Sequence, residues 1–222
     1  TLEGDQIFNG AVDNATGTAA LMEIAEAFVS AGPPRRSILF MAVTAEESGL
    51  LGSRHYGTNP VYPLAQTVAG INMDGVNVLG RTRDVAAIGY GSSELEAYLA
   101  RAAKLQDRFI VPEPTPEKGF FYRSDHFNLS KQGVPVLYAK GGVDFRVGGV
   151  ARGTALAEDW VANRYHKVSD EYRDDWDLAG AMEDMLLYYQ VGRELADSDT
   201  WPEWNSSSEF KAIRDASLSG QR

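Results

Sequence analysis

The sequence predicts a three-layer α/β domain with a mainly parallel central sheet. Three observations predict it. Short apolar runs of strand length alternate with segments whose apolar residues recur at helical spacing. Acidic residues fall where such runs end, at the edge where open α/β sheets place their ligands. No repeat and no linker interrupts the 222 residues, which read as a single domain, 1–222.

Taken in order, Thr1 to Thr16 is polar and Gly-rich and reads as a loop. Asp13-Asn14-Ala15-Thr16-Gly17 leads into a helix to about Ser30, with Leu21, Ile24, Ala25, Phe28 and Val29 on its apolar stripe. Gly32-Pro33-Pro34 stops it. Ser37 to Val43 reads as a buried strand running out into Thr44-Ala45-Glu46-Glu47. A short helix covers Leu50 to Gly57. Thr67 to Met73 is a second buried strand, ending at Asp74-Gly75, and Val85 to Gly89 a third. Ser92 opens a helix to about Leu105, with Leu95, Tyr98, Leu99 and Ala102 on one face. Phe109 to Val111 is a short strand, Ser124-Asp125-His126 starts a short helix, and Val134 to Ala139 is a buried strand. Gly141 to Arg164 reads as a long irregular stretch of the kind that carries function. Asp177 to Ala196 is the last helix, with Leu178, Met182, Met185, Leu186 and Tyr189 inward. The tail from Trp201 to Arg222 is polar and packs through Trp201, Trp204 and Phe210.

Composition narrows the function. A formal charge of -10 argues against a nucleic-acid partner, which needs clustered Lys and Arg. No apolar run is long enough to span a membrane, and no signal peptide opens the sequence. There are no cysteines, so thiolate metal sites, Cys nucleophiles and disulfides are excluded. Any metal would be held by Asp, Glu and His, which suits zinc, manganese or cobalt.

The acid pair is the chemical centre of the chain. Neighbouring residues point in different directions, so one of Glu46 and Glu47 can hold a metal while the other acts as a base. The bland alternative is a solvated acid pair favoured by a helix dipole. Asp13, Glu46, Glu47 and Asp74 each follow a strand or precede a helix, and parallel strands would gather them at one sheet edge. Carboxylates gathered without cations repel, and a divalent ion resolves this. Three histidines are available as a softer partner. His166, in a loop among acids, reads as a ligand or as a surface residue; His55 and His126 read as packing or structural residues.

Five motifs in order then carry a family resemblance. They are Gly10-Ala11-Val12-Asp13-Asn14-Ala15-Thr16-Gly17, Ala45-Glu46-Glu47-Ser48-Gly49-Leu50-Leu51-Gly52-Ser53, Asn72-Met73-Asp74, Ser124-Asp125-His126 and Tyr165-His166-Lys167-Val168-Ser169-Asp170. Together they resemble the M28 family of zinc aminopeptidases. The opening Gly-Asp-Gln-Ile-Phe-Asn-Gly and the Trp201-Pro202-Glu203-Trp204 tail look most like its bacterial exported members.

The resemblance implies a zinc-exopeptidase-like fold and removal of N-terminal residues from peptides by a pair of zinc ions. It implies a periplasmic or extracellular location. By the same resemblance, Asp13 bridges the two zincs, Glu47 and His166 complete one site, and Asp74 belongs to the other. Glu46 is the general base, and the peptide after Asp13 is cis. Tyr122 is the candidate oxyanion donor, against a packing tyrosine. Members carry a further zinc histidine upstream of the Asp13 loop, and residues 1–10 contain none. The expectation is therefore an N-terminally incomplete domain that holds one zinc well and a second weakly or not at all. A sheet edge left open would favour self-association. Two other readings share the fold: a glutaminyl cyclase-like transferase with one zinc, and a non-catalytic binding module.

Overall fold

The computed structural model describes residues 2–220. The chain opens with a two-strand hairpin, β1 (Leu2–Glu3) and β2 (Gln6–Ile7), where the sequence predicts only a loop. The central sheet is built from β3 (Gly70–Asn72), β4 (Asp84–Ala87), β5 (Phe109–Pro112) and β6 (Val136–Gly141), in the order β3-β6-β4-β5. β3 runs parallel to β6 and β4 parallel to β5, while β4 and β6 are antiparallel. The sheet is thus mixed, with register Ile71↔Leu137 and Ala86↔Lys140.

Helices cover both faces. α1 (Gly17–Ala31), α3 (Leu95–Leu105) and α6 (Ala179–Asp197) lie on one side, where Ile24, Phe28, Leu99, Leu187 and Val191 meet Val85, Leu137 and Ala139. α2 (Leu51–Thr58), α4 (His126–Ser130) and the C-terminal segment with α7 (Lys211–Ser219) lie on the other. There Ile88, Phe121, Tyr138, Trp204 and Phe210 form a second core. β6 alternates between the layers, with Leu137 and Ala139 on one face and Tyr138 on the other, as the period of two in a strand requires. Strands buried on both faces read as apolar runs, which is why the sequence shows them.

Five elements differ from the sequence expectation. Ser37 to Val43 is not a strand: it has no ladder partner among the described residues. Ile38 and Phe40 still pack on the core and Leu39 is exposed, so the side chains alternate as in a strand without its hydrogen bonds. The stretch read as irregular holds α5 (Gly149–Asn163). Only Gly153 of α5 is buried, and Val150 and Val161 are exposed on it. The buried face of α6 is rotated from the expected one: Leu178, Met182 and Leu186 are exposed, and Ala181, Asp184, Leu187, Tyr188 and Val191 point inward. A buried acid breaks the apolar pattern there. Asp184 meets Arg108 at 2.9 Å, with both side chains almost fully buried, and accepts the Gly141 N–H at 3.1 Å. Similarly, Val29 of α1 is exposed while Ala20, Ile24 and Phe28 are buried. The polar tail folds into α7, whose buried Arg214 donates to the carbonyls of Leu64, Thr67 and Val68. Trp204 and Phe210 are its apolar anchors. No helix among the described residues is long and apolar enough to cross a membrane.

Candidate active site

Asp13 sits in the wide turn from Ala11 to Thr16 that enters α1. Its backbone and that of Asn14 are non-helical, and the peptide between them is cis. Thr16 ties this turn to the β3 end: its Oγ1 donates to the Val12 carbonyl at 2.8 Å and accepts the Val76 N–H at 3.1 Å. Gly17 permits the approach, since a Cβ there would lie 1.9 Å from the Asp74 carbonyl oxygen. Asp74 is thereby set next to the Asp13 turn. Its Oδ2 accepts the Tyr138 hydroxyl at 3.3 Å, and its Oδ1 the Gly75 N–H at 3.1 Å.

Glu46 and Glu47 lie in the tight turn before α2. The Glu46 carbonyl accepts the N–H groups of Gly49 and Leu50 at 3.0 and 2.9 Å, and the Thr44 carbonyl that of Gly52 at 2.9 Å. Ala45 and Leu50 take positive φ at either end of this turn. Non-glycine residues held there mark a conformation that the surroundings enforce. Gly52 is required by space: a Cβ would fall 2.5 Å from the Thr44 nitrogen.

His166 arrives from the loop after α5, also at positive φ, with the Tyr165 ring stacked on it at 3.8 Å. Its Nε2 is 3.3 Å from Asp13 Oδ2 and 3.5 Å from Glu47 Oε1. One donor atom from each of Asp13, Glu47 and His166 lies within 4.8 Å of the others. Asp13, Glu46, Glu47, Asp74 and His166 line one cleft of about 570 Å³.

The model of peptidase family M28 matches residues 2–190. The chain belongs to peptidase family M28. A segment of 76 residues is 42% identical to the aminopeptidase NAALADL1 of Mus musculus, covering 32% of this chain and 10% of the mouse protein. The LapA aminopeptidase of Legionella pneumophila superimposes with a TM-score of 0.64 at 21% identity, over 90% of this chain and 50% of its own. At that identity the likeness is one of fold. The chain spans half the length of LapA, and its matching segment a tenth of the mouse relative.

The donor set of this M28 domain fits a metal ion on geometry. Two ligands on a tetrahedral zinc, each ~2.0–2.1 Å from the metal, stand about 3.3–3.4 Å apart. The separations of 3.3 and 3.5 Å match that edge. Two carboxylates and an imidazole are a donor mixture that zinc accepts. Asp13 and Asp74 could serve a second ion, but among the described residues no third His, Asp or Glu donor joins those two at comparable spacing.

Burial and neighbouring like charge both act on these acids. Burial, then Asp74 and Glu47, raise the Asp13 carboxyl from 3.8 to about 6, with His166 opposing. Burial, then Asp74, Glu47, Asp125 and Asp13, raise the Glu46 carboxyl from 4.5 to about 7. Asp125 contributes to Glu46 from the start of α4, where its Oδ1 accepts the Ser53 hydroxyl at 2.5 Å.

Tyr122 is not brought to the cleft. It is 52% exposed and its hydroxyl donates to Glu209 at 2.9 Å, because its one-turn helix faces the C-terminal tail. His55 is exposed on α2. His126 is buried between Phe121 and Tyr138, at ring distances of 4.6 and 5.1 Å. The sequence reading missed Tyr138, whose hydroxyl reaches Asp74. Its signal was strand alternation, which puts it on the face opposite Leu137 and Ala139.

Proposed function

We propose that this domain is a zinc-dependent exopeptidase that removes N-terminal residues from peptides. The observation that carries the reading is a single cleft where Glu46 stands beside the Asp13, Glu47 and His166 donors. A zinc ion held by those three would supply Lewis acidity toward a carbonyl and toward water. Glu46 is left free of that set, so its carboxylate can take a proton from the attacking water and return it to the leaving amine. A co-catalytic second zinc would share Asp13 and take Asp74. The names of the mouse and Legionella relatives support aminopeptidase over other peptidase actions.

The test is release of p-nitroaniline from leucine and alanine anilides by the zinc-loaded protein, run beside cyclisation of a peptide with N-terminal glutamine. Anilide hydrolysis that falls by about 10²–10⁴ in Glu46→Gln, with zinc still bound, is the expected result. Cyclisation without hydrolysis would replace the proposal with a transferase. Neither activity in a zinc-loaded protein would leave a binding module.

A further inference from the structure

Asp170 is a carboxylate only 3% exposed, four residues beyond His166. Burying a carboxylate is costly unless donors surround it. Among the described residues no Lys, Arg or His pairs with its side chain; backbone amides do the work. Its Oδ1 accepts the Val12 N–H and its Oδ2 the Asp13 N–H, each at 3.0 Å. Its own carbonyl accepts the Ala11 N–H at 3.1 Å. Three consecutive amides of the Asp13 turn therefore end on one residue of the His166 loop. The other end of that loop is tied to α5, where Lys167 Nζ donates to the Ala162 carbonyl and Ser169 Oγ to the Asn163 carbonyl.

We infer that Asp170 is a positioning residue that locks the Asp13 turn to the His166 loop, so that the metal donors stand assembled before any metal arrives. The inference rests on the metal-holding role proposed above. Its physical logic is preorganisation. Asp13 and Glu47 repel each other without a cation, and the two loops are far apart in sequence. Without Asp170 nothing else of comparable burial among the described residues ties the amides at 11–13 to the loop, and the turn can relax away from His166. Partners that orient metal ligands commonly change metal affinity by about 10–100-fold when removed.

Zinc affinity is measured by competition with a chelating dye on the metal-stripped full chain. The proteins compared are the parent, Asp170→Asn, Asp170→Glu and His166→Ala. Melting of each metal-free protein is followed alongside. The carboxamide of Asp170→Asn turns one acceptor into a donor facing a backbone N–H. Zinc should bind it about 10–100-fold more weakly at a temperature where it is folded. Asp170→Glu should recover part of the loss, and His166→Ala should also bind weakly. Unchanged zinc affinity in Asp170→Asn, with weakened affinity in His166→Ala, would overturn the positioning role and leave the metal site standing. A lowered melting midpoint with unchanged affinity would do the same, by showing a purely structural role. Unchanged affinity in His166→Ala would instead overturn the metal site itself. Should Asp170→Asn not fold, hydrogen exchange of the parent decides. The Val12 and Asp13 amides should be protected before zinc is added, and free exchange there would overturn the inference.

Discussion

Replacing His126 with Phe should change how stability depends on pH. His126 is 1% exposed, and among the described residues neither ring nitrogen has a partner. Burial lowers its pKa from 6.5 to about 3. The folded chain therefore keeps the imidazole neutral where the unfolded chain protonates it. Between those two values the unfolded state binds more protons, so stability falls as pH falls. The contribution is fully present above 6.5 and is lost progressively as pH drops toward 3. At about 1.4 kcal/mol per tenfold, the whole displacement is worth at most about 5 kcal/mol, of which about 2 kcal/mol is lost between pH 7 and pH 5. Asp13 and Glu46 act in the opposite sense. Their raised values favour the folded state as pH falls, and they are present in both proteins. Urea unfolding of metal-stripped parent and His126→Phe at pH 7 and pH 5 gives a difference in which those acids cancel. The variant should gain about 2 kcal/mol on the parent over that interval. Phe also removes the buried N–H that the neutral ring leaves unsatisfied, a liability of about 1–3 kcal/mol, and suits the aromatic surroundings. A parent–variant difference that does not move with pH would refute the reasoning, because it would mean that His126 is hydrated or paired in solution.

Two further substitutions test the frame that holds the site. Gly17→Ala places a methyl group 1.9 Å from the Asp74 carbonyl oxygen, a backbone atom that cannot swing aside. The cost should be about 3 kcal/mol, at the upper end for overpacking. That lowers the melting midpoint by about 6–12 °C in a chain of this size, whereas an unchanged midpoint would show that α1 and the β3 end are not rigidly apposed. Asp184→Asn leaves the buried Arg108 guanidinium without its anion, and chemical denaturation should register a loss of about 3–5 kcal/mol. Replacing both partners by Met and Leu should recover most of that loss, and a double variant as unstable as the single one would mean the pair is not the cause.

The layered α/β fold and the five residues that line the cleft were legible in the sequence. Apolar runs and helical spacing are local signals, and the strands at Asp84–Ala87 and Val136–Gly141 came through because burial on both faces leaves no alternation to misread. Asp13, Glu46, Glu47, Asp74 and His166 were legible because they lie in short, ordered motifs, and the cleft gathers all five. Tertiary structure alone decided the rest. Which face of α6 is buried depends on Arg108, which comes from the start of β5 and draws Asp184 into the core against the apolar pattern. Ser37 to Val43 has the composition of a strand, but strandhood needs a hydrogen-bonding neighbour, which composition cannot supply. Tyr122 and Tyr138 are both plausible donors as letters; strand register turns Tyr138 toward Asp74, and the C-terminal tail claims Tyr122. Asp170 stands four residues from His166 in the sequence, yet its function lies with amides more than 150 positions away. Such a contact is invisible to spacing because it exists only once both loops have closed over the same sheet edge.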